Sequence, residues 1–158
     1  MPVPVSELSK LFPLDALRPE SREQLASEAT VDDYARKDVV FRAGDMDDDT
    51  CYLIEGEVRC DYPDGRNVAH VAGSNHGRYA LNDAVPRRFT ATVVSARARI
   101  VRLERRFVEK VITWDQLSRD ATYRFHESTP GASAWVFRLL HSHAFIKLPT
   151  GNLERMFQ

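Results

Sequence analysis

The chain has 158 residues, with 22 Lys and Arg against 23 Asp and Glu and a formal net charge of −1. That length fits one domain with a short appendage and allows a sizeable buried core. The near-neutral balance excludes a global field drawing the protein to nucleic acid or anionic lipid, so any anion site must be local.

No apolar run approaches the roughly 20 residues of a spanning helix, and "MPVPVSELSK" lacks the basic-then-apolar pattern of a signal peptide. The expectation is a cytoplasmic protein with no membrane association. Cys51 and Cys60 make no disulfide framework. They flank an expected hairpin around Glu55-Gly56 and read as reduced thiols facing across a strand pair.

In chain order, segment 1–30 sets Leu8, Leu11, Phe12, Leu14, Leu17, Leu25 and Ala29 among polar residues, which predicts short helices. Ser21 is a candidate cap for a helix through "REQLASEAT", after a break at Pro19. From 31 to 103 the texture changes to short runs rich in Val, Ile, Tyr and Thr: "DVVF", "TCYLIEGEVRCDY", "NVAHVAG", "FTATVV" and "ARIVRL". Gly, Pro, Asn and Asp collect between them, and Asp64-Gly65 is a good hairpin turn. Many short strands with no helices between them predict a jelly-roll β-barrel flanked by helices, a mainly β, α+β fold.

After the strands, "ERRFVEKVI" at 104–112 puts Phe107, Val108, Val111 and Ile112 on one helical face. Together 31–112 reads as the barrel and its following helix. The polar tract 113–134, with Pro130 and Gly131, reads as a linker. Helical spacing returns in 135–158, "WVFRLLHSHAFIKLPTGNLERMFQ", which echoes "LSKLFPLDALRPESREQLASEA" near the start. The echo makes 135–158 the candidate entry of a second, truncated copy. Its apolar face needs cover from the domain, from such a copy or from a homodimer partner.

The stretch 39–60, "VVFRAGDMDDDTCYLIEGEVRC", resembles the pattern of cyclic nucleotide-binding domains through Val40, Phe41, Gly44, Asp45, Tyr52, Ile54, Gly56 and Val58. The two glycines fall at turns expected to need positive φ, and alternation puts Tyr52 and Ile54 on one face. "GRYAL" and "TATVV" resemble the two ends of that family's phosphate-binding cassette. The resemblance implies a ligand site at Gly77, Arg78, Tyr79, Ala80, Leu81, Arg87, Arg88, Thr90 and Ala91. It implies no catalysis, and no cofactor beyond a cyclic nucleotide or other phosphate ligand.

In the family a glutamate accepts from the ribose hydroxyl and an arginine pairs with the cyclic phosphate. Here Arg78 stands in the glutamate's place. Counting back from Thr90-Ala91-Thr92 puts Phe89 at the arginine position, while counting forward from Ala80-Leu81 puts Arg87 there. A charge-assisted hydrogen bond contributes about 1.5–3 kcal/mol, so loss of the acid alone weakens binding by roughly tenfold to a hundredfold. The fold is expected to persist and the usual ligand to be lost. Arg78, Arg87 and Arg88 then either receive a different anion, such as a dinucleotide phosphate, or are solvated or paired with Asp83 and nearby acids.

Other chemistry is excluded on spacing. His70, His76, His141 and His143 do not form the strand-borne His-x-His set of a metal-binding barrel. "DMDDD" alternates acids like a calcium loop but has Thr50 and Gly56 where glycine and glutamate are needed, so it reads as a solvated turn. No nucleophile has a matched base, and no helix-turn-helix follows the barrel, so direct nucleic-acid binding is not expected.

Overall fold

Runs of β-branched residues set between turn-forming residues become strands, and the apolar-periodic segments on either side become helices. The computed structural model describes residues 3–81 and 84–126. Helix α1 (Val5–Leu8), a 3-10 turn (Leu14–Ala16) and α2 (Pro19–Glu28) open the chain. Strands β1 (Thr30–Ala35), β2 (Val39–Phe41), β3 (Asp49–Glu55), β4 (Glu57–Asp61), β5 (Asn67–Val71), β6 (Thr90–Val93) and β7 (Arg97–Glu104) follow, then α3 (Arg105–His126).

The strands form two antiparallel sheets, β1-β7-β3 and β2-β6-β4-β5. This is the expected jelly roll, open rather than closed: among the described residues no ladder joins one sheet to the other. The chain changes sheet at Gly56, at φ +93°, where a Cβ would lie 2.3 Å from the Arg97 carbonyl oxygen. Only glycine fits there. The hairpin expected at Glu55-Gly56 is therefore a crossover. Cys51 and Cys60 do not face each other across one strand pair but sit on different sheets, both free and both buried in the core between them. The Asp64-Gly65 hairpin does form: Asp64 Oδ1 accepts the Arg66 amide at 3.0 Å, and the Tyr62 amide donates to the Arg66 carbonyl at 2.8 Å.

Strand β3 is buried on both faces and divides two cores. Cys51 and Leu53 join Val58, Cys60, Ala91, Val93, Ala98 and Ile100 between the sheets. Tyr52, with Ile54 beside it, faces the helices and meets Leu8, Leu14, Leu25, Val101, Leu103, Val108 and Val111. Each fully buried leucine contributes about 1.5–3 kcal/mol relative to exposure, so the N-terminal helices are part of the domain's core.

Two expectations need correction. Ser21 does not cap α2; it is buried, and its hydroxyl donates to Asp115 Oδ1 at 2.7 Å. The linker expected over 113–134 is helical as far as 126, because α3 continues through it. Trp114, Asp115 and Ser118 are buried there, so two of the tract's polar groups face inward. The rest of that tract and segment 135–158 lie outside the described residues.

Candidate functional site

The cassette leaves β5 through a tight turn. The Ser74 amide and hydroxyl both donate to the Val71 carbonyl, at 3.3 and 2.7 Å, and the Gly77 amide donates to Ser74 Oγ at 2.9 Å. A Cβ on Gly77 would sit 2.0 Å from the Val71 oxygen, so this glycine is set by close backbone approach.

Arg78 engages the N-terminal segment. Its Nη2 lies 2.5 Å from Asp15 Oδ2, and its carbonyl accepts the Phe12 amide at 2.8 Å. The Tyr79 ring lies 5.0 Å from that of Phe12, both partly exposed. Ala80 packs on the helix-side core. Leu81 is buried between the sheets and its amide donates to the Cys51 carbonyl at 2.8 Å. Asp83, a partner considered for the arginines, lies outside the described residues.

Of the two candidate arginine positions, Phe89 is a core residue, with ring centroids 5.4 Å from Phe41 and 5.0 Å from Tyr62. Arg87 turns inward, and its side chain is fully enclosed. It forms a fork with Asp47 through Nη2–Oδ2 and Nε–Oδ1, the latter at 3.2 Å. Its Nη2 also donates to the Asp49 carbonyl at 2.6 Å, and its guanidinium carbon lies 4.6 Å from the Phe41 ring centre. Arg88 is exposed, Thr90 Oγ1 accepts the Ala43 amide at 3.1 Å, and Ala91 is buried in the ladder opposite Cys60. Arg78 and Arg87 are thus held by different acids, Asp15 and Asp47, and Arg88 is exposed.

The acidic run is more than a solvated turn. Asp47 pairs with Arg87, Asp48 Oδ1 lies 3.0 Å from Arg105 Nε, and Asp49 Oδ2 lies 3.7 Å from Arg102 Nη1. The Arg87 hydrogen bond holds the Asp47 carboxyl below its ordinary range despite burial. Burial pushes the Cys51 thiol up even though Arg102 and Arg87 lie beside it, so it stays protonated at neutral pH. Burial also lowers His70 from 6.5, against a smaller opposing pull from the Tyr79 and Gly77 backbone. Among the described residues no group of three or more His, Cys, Asp or Glu is placed to hold a metal ion, and no helix is long and apolar enough to cross a membrane. His141 and His143 lie outside those residues.

A second cluster ties α3 to the same N-terminal segment. Asp115 Oδ1 accepts from the Arg18 amide at 3.1 Å and from the Ser21 hydroxyl, while Arg119 Nε lies 3.0 Å from Oδ2. Arg119 also donates to the Ala16 carbonyl. Burial alone would raise Asp115, but Ser21, the Arg18 amide and the two guanidiniums hold it below 3.8. Residues 12–18 therefore touch the cassette on one side and α3 on the other. Sequence reasoning missed Asp15, Asp47 and Asp115, and only the alternating acids of 45–49 hinted at any of them.

No protein-family model and no curated protein matches this sequence. Solved structures do match in fold. The regulatory domain of protein kinase A from Toxoplasma gondii, with cAMP, aligns at TM-score 0.58 and 17% identity over 75% of this chain and 48% of that one. The regulatory subunit of a cAMP-independent protein kinase A from Trypanosoma brucei aligns at 0.55 and 17%, over 64% and 37%. A cyclic nucleotide-binding-like protein from Brucella abortus aligns at 0.52 and 18%, over 69% and 97%. The chain spans about half the length of the Toxoplasma chain and less of the Trypanosoma one. Its fold is that of cyclic nucleotide-binding domains.

Proposed function

We propose that this chain is a non-enzymatic regulatory module in which the cassette is held by the protein's own acids and does not take cAMP or cGMP in the usual way. The observation that carries this reading is the Arg78–Asp15 pair: a cation stands where an acceptor for the ribose hydroxyl is required, and it is tied to the N-terminal segment. The enclosure of Arg87 by Asp47, the Asp49 carbonyl and Phe41 supports it. Residues 12–18 then link cassette position to α3, through Arg78 and Phe12 on one side and Asp115 and Arg119 on the other. In a longer receptor the module would be the first of two such domains, the second beginning near Trp135, as the internal echo suggests.

The test is thermal melting with cAMP, cGMP and cyclic dinucleotides up to millimolar ligand, because a bound ligand raises the melting temperature with its occupancy. No shift with any of them supports the reading, and a shift with cAMP or cGMP at micromolar concentration refutes it. A second reading, a working cyclic nucleotide or cyclic dinucleotide receptor, draws on Arg87. It stands at the forward-counted arginine position, and Asp47 fixes its fork. That reading requires micromolar affinity that Arg78→Glu improves, or affinity for another anion that Arg78→Glu or Arg87→Ala abolishes.

A further inference from the structure

One titratable side chain stands apart from the charge clusters. His70 on β5 pairs with Val58 of β4, a core residue between the sheets, so its ring lies on the inner face. Its Nε2 is buried and, among the described residues, has no hydrogen-bond partner. The ring meets the cassette: the backbone of Gly77 and Tyr79 is close enough to favour its charged form, and the nearby His76 opposes it.

Among the described residues no acid acts on this ring. On β4, Glu57, Arg59 and Asp61 pair with Val71, Ala69 and Asn67, on the other face of the sheet. Cys60, on the inner face, is pushed up to about 11 by burial, and Cys51 of β3 is also raised, so both are neutral. Strand β6 brings only Ala91 and Val93 beside Cys60 and Val58. Glu55, at the end of β3, pairs with Arg99 at 3.9 Å, and Arg78 of the cassette turns to Asp15.

A neutral imidazole has one bare nitrogen and is buried at modest cost. Protonation makes both nitrogens donors and places a charge where water is excluded. The cassette backbone offsets only part of that cost, because the effect of burial on His70 is the larger. The segment that meets the ring is held by few contacts. The Gly77 amide donates to Ser74 Oγ, the Arg78 carbonyl accepts the Phe12 amide, and the Arg78–Asp15 pair is open to solvent. Leu81 is anchored to the Cys51 carbonyl, so residues 76–80 can lift as a unit between fixed ends.

We propose that His70 is a proton-operated latch: protonation of its ring lifts residues 76–80 from β5, breaks the Arg78 contacts with Asp15 and Phe12, and so frees the cassette from residues 12–18. The closed cassette favours the neutral ring and the open one exposes it to water, so falling pH favours opening. The latch needs no ligand and stands whether or not the cassette takes a nucleotide.

The test is amide hydrogen exchange on the full, ligand-free chain at pH 7.5 and pH 5, with rates corrected for their intrinsic pH dependence. One proton taken up on opening changes the opening equilibrium by up to about tenfold per pH unit. The Phe12, Gly77 and Tyr79 amides should lose protection by roughly tenfold or more at pH 5, while Ile100 and Val101 in β7 stay more protected than these. His70→Gln should abolish the cassette's response, and His76→Gln should keep it. Cassette protection that does not change with pH overturns the proposal. So does a response that survives in folded His70→Gln, or cassette and β7 amides that exchange with one common protection at pH 5. If His70→Gln does not fold, NMR titration of the wild-type ring decides: a midpoint below 6.5 upholds the latch, and one at or above 6.5 overturns it.

Discussion

Arg78 Nη2 lies 2.5 Å from Asp15 Oδ2, across a gap of 63 residues in sequence. The same arginine accepts the Phe12 amide at its carbonyl, so side chain and backbone both fasten the cassette to the turn that opens the domain. The fastening is local and solvent-facing, with side chains 45% and 30% exposed. An exposed pair of this kind contributes under about 1 kcal/mol. Its role in the molecule is one of position more than of stability.

Arg78→Glu should therefore lower stability by no more than about 1–2 kcal/mol, the lost pair plus a like-charge contact with Asp15. Combining it with Asp15→Arg should recover most of that loss in a urea melt, since the two sites then hold opposite charges again. A double variant no more stable than Arg78→Glu alone would show that the two side chains do not interact in solution.

Arg87 presents the opposite case. Its charge is enclosed, and Asp47 is the acid that meets it in a fork. Removing one member of a buried pair leaves the other charge uncompensated, at about 3–5 kcal/mol. Water reaches Asp47, which is 34% exposed, so Asp47→Ala should fall near the low end, about 3 kcal/mol. Arg87→Met, which keeps much of the packing on Phe41 and removes the charge, should cost less than Asp47→Ala. Chemical denaturation of both variants checks the order, and equal losses would mean that the pair is solvated.

Much of this architecture was legible in residue order, and particular residues show why. Alternation about Tyr52 identified a strand with its aromatic and Ile54 on one face, and both lie toward the helix-side core. Gly44 and Gly56 fall at turns whose composition calls for positive φ, and they adopt φ of +91° and +93°. The partners of the charges were not legible. Arg87 finds Asp47 40 residues away and Arg18 finds Asp115 97 away, and no local period encodes such distances. Glu55-Gly56 looked like a hairpin because a glycine that moves the chain to another sheet has the same composition as one that turns it back. The start of the polar tract after 112 looked like a linker because burial of Asp115 and Ser118 depends on Ser21, Arg18 and Arg119 being brought to them.

Among the groups that shape the acid side of the stability profile, His70 and Asp115 act in distinct windows. His70 has its folded pKa depressed below 6.5 by burial. The unfolded chain then binds the proton more readily, so stability is full above 6.5 and falls as pH drops from there through the lower folded value. Asp115 is depressed below 3.8, and its contribution is full above 3.8 and lost as pH falls through its folded value. Melting temperatures from pH 8 to 3 should show both descents. His70→Gln should flatten the upper one, and Asp115→Asn should reduce the lower one, to which Asp47 also contributes. A wild-type profile level between pH 7 and 5 would contradict the buried placement of His70.

Gly56 is the position where a single methyl group should do most harm. Alanine there takes on a positive φ, and its Cβ would meet the Arg97 carbonyl oxygen at 2.3 Å and the Ser95 hydroxyl at 2.6 Å. Neither neighbour is free to withdraw. Ser95 Oγ accepts the Glu57 amide at 2.9 Å and donates to the Arg97 carbonyl at 2.6 Å, so movement of one disturbs the other. Left-handed backbone costs a non-glycine residue about 1–2 kcal/mol, and overpacking adds about 1–3 kcal/mol. Gly56→Ala should thus destabilise by about 2–5 kcal/mol. Gly65→Ala, also at positive φ but with open space around its Cβ, should lose only the backbone share of about 1 kcal/mol. Urea midpoints of the two variants, measured side by side, separate crowding from backbone strain, and equal losses would rule out the crossover as a crowded site.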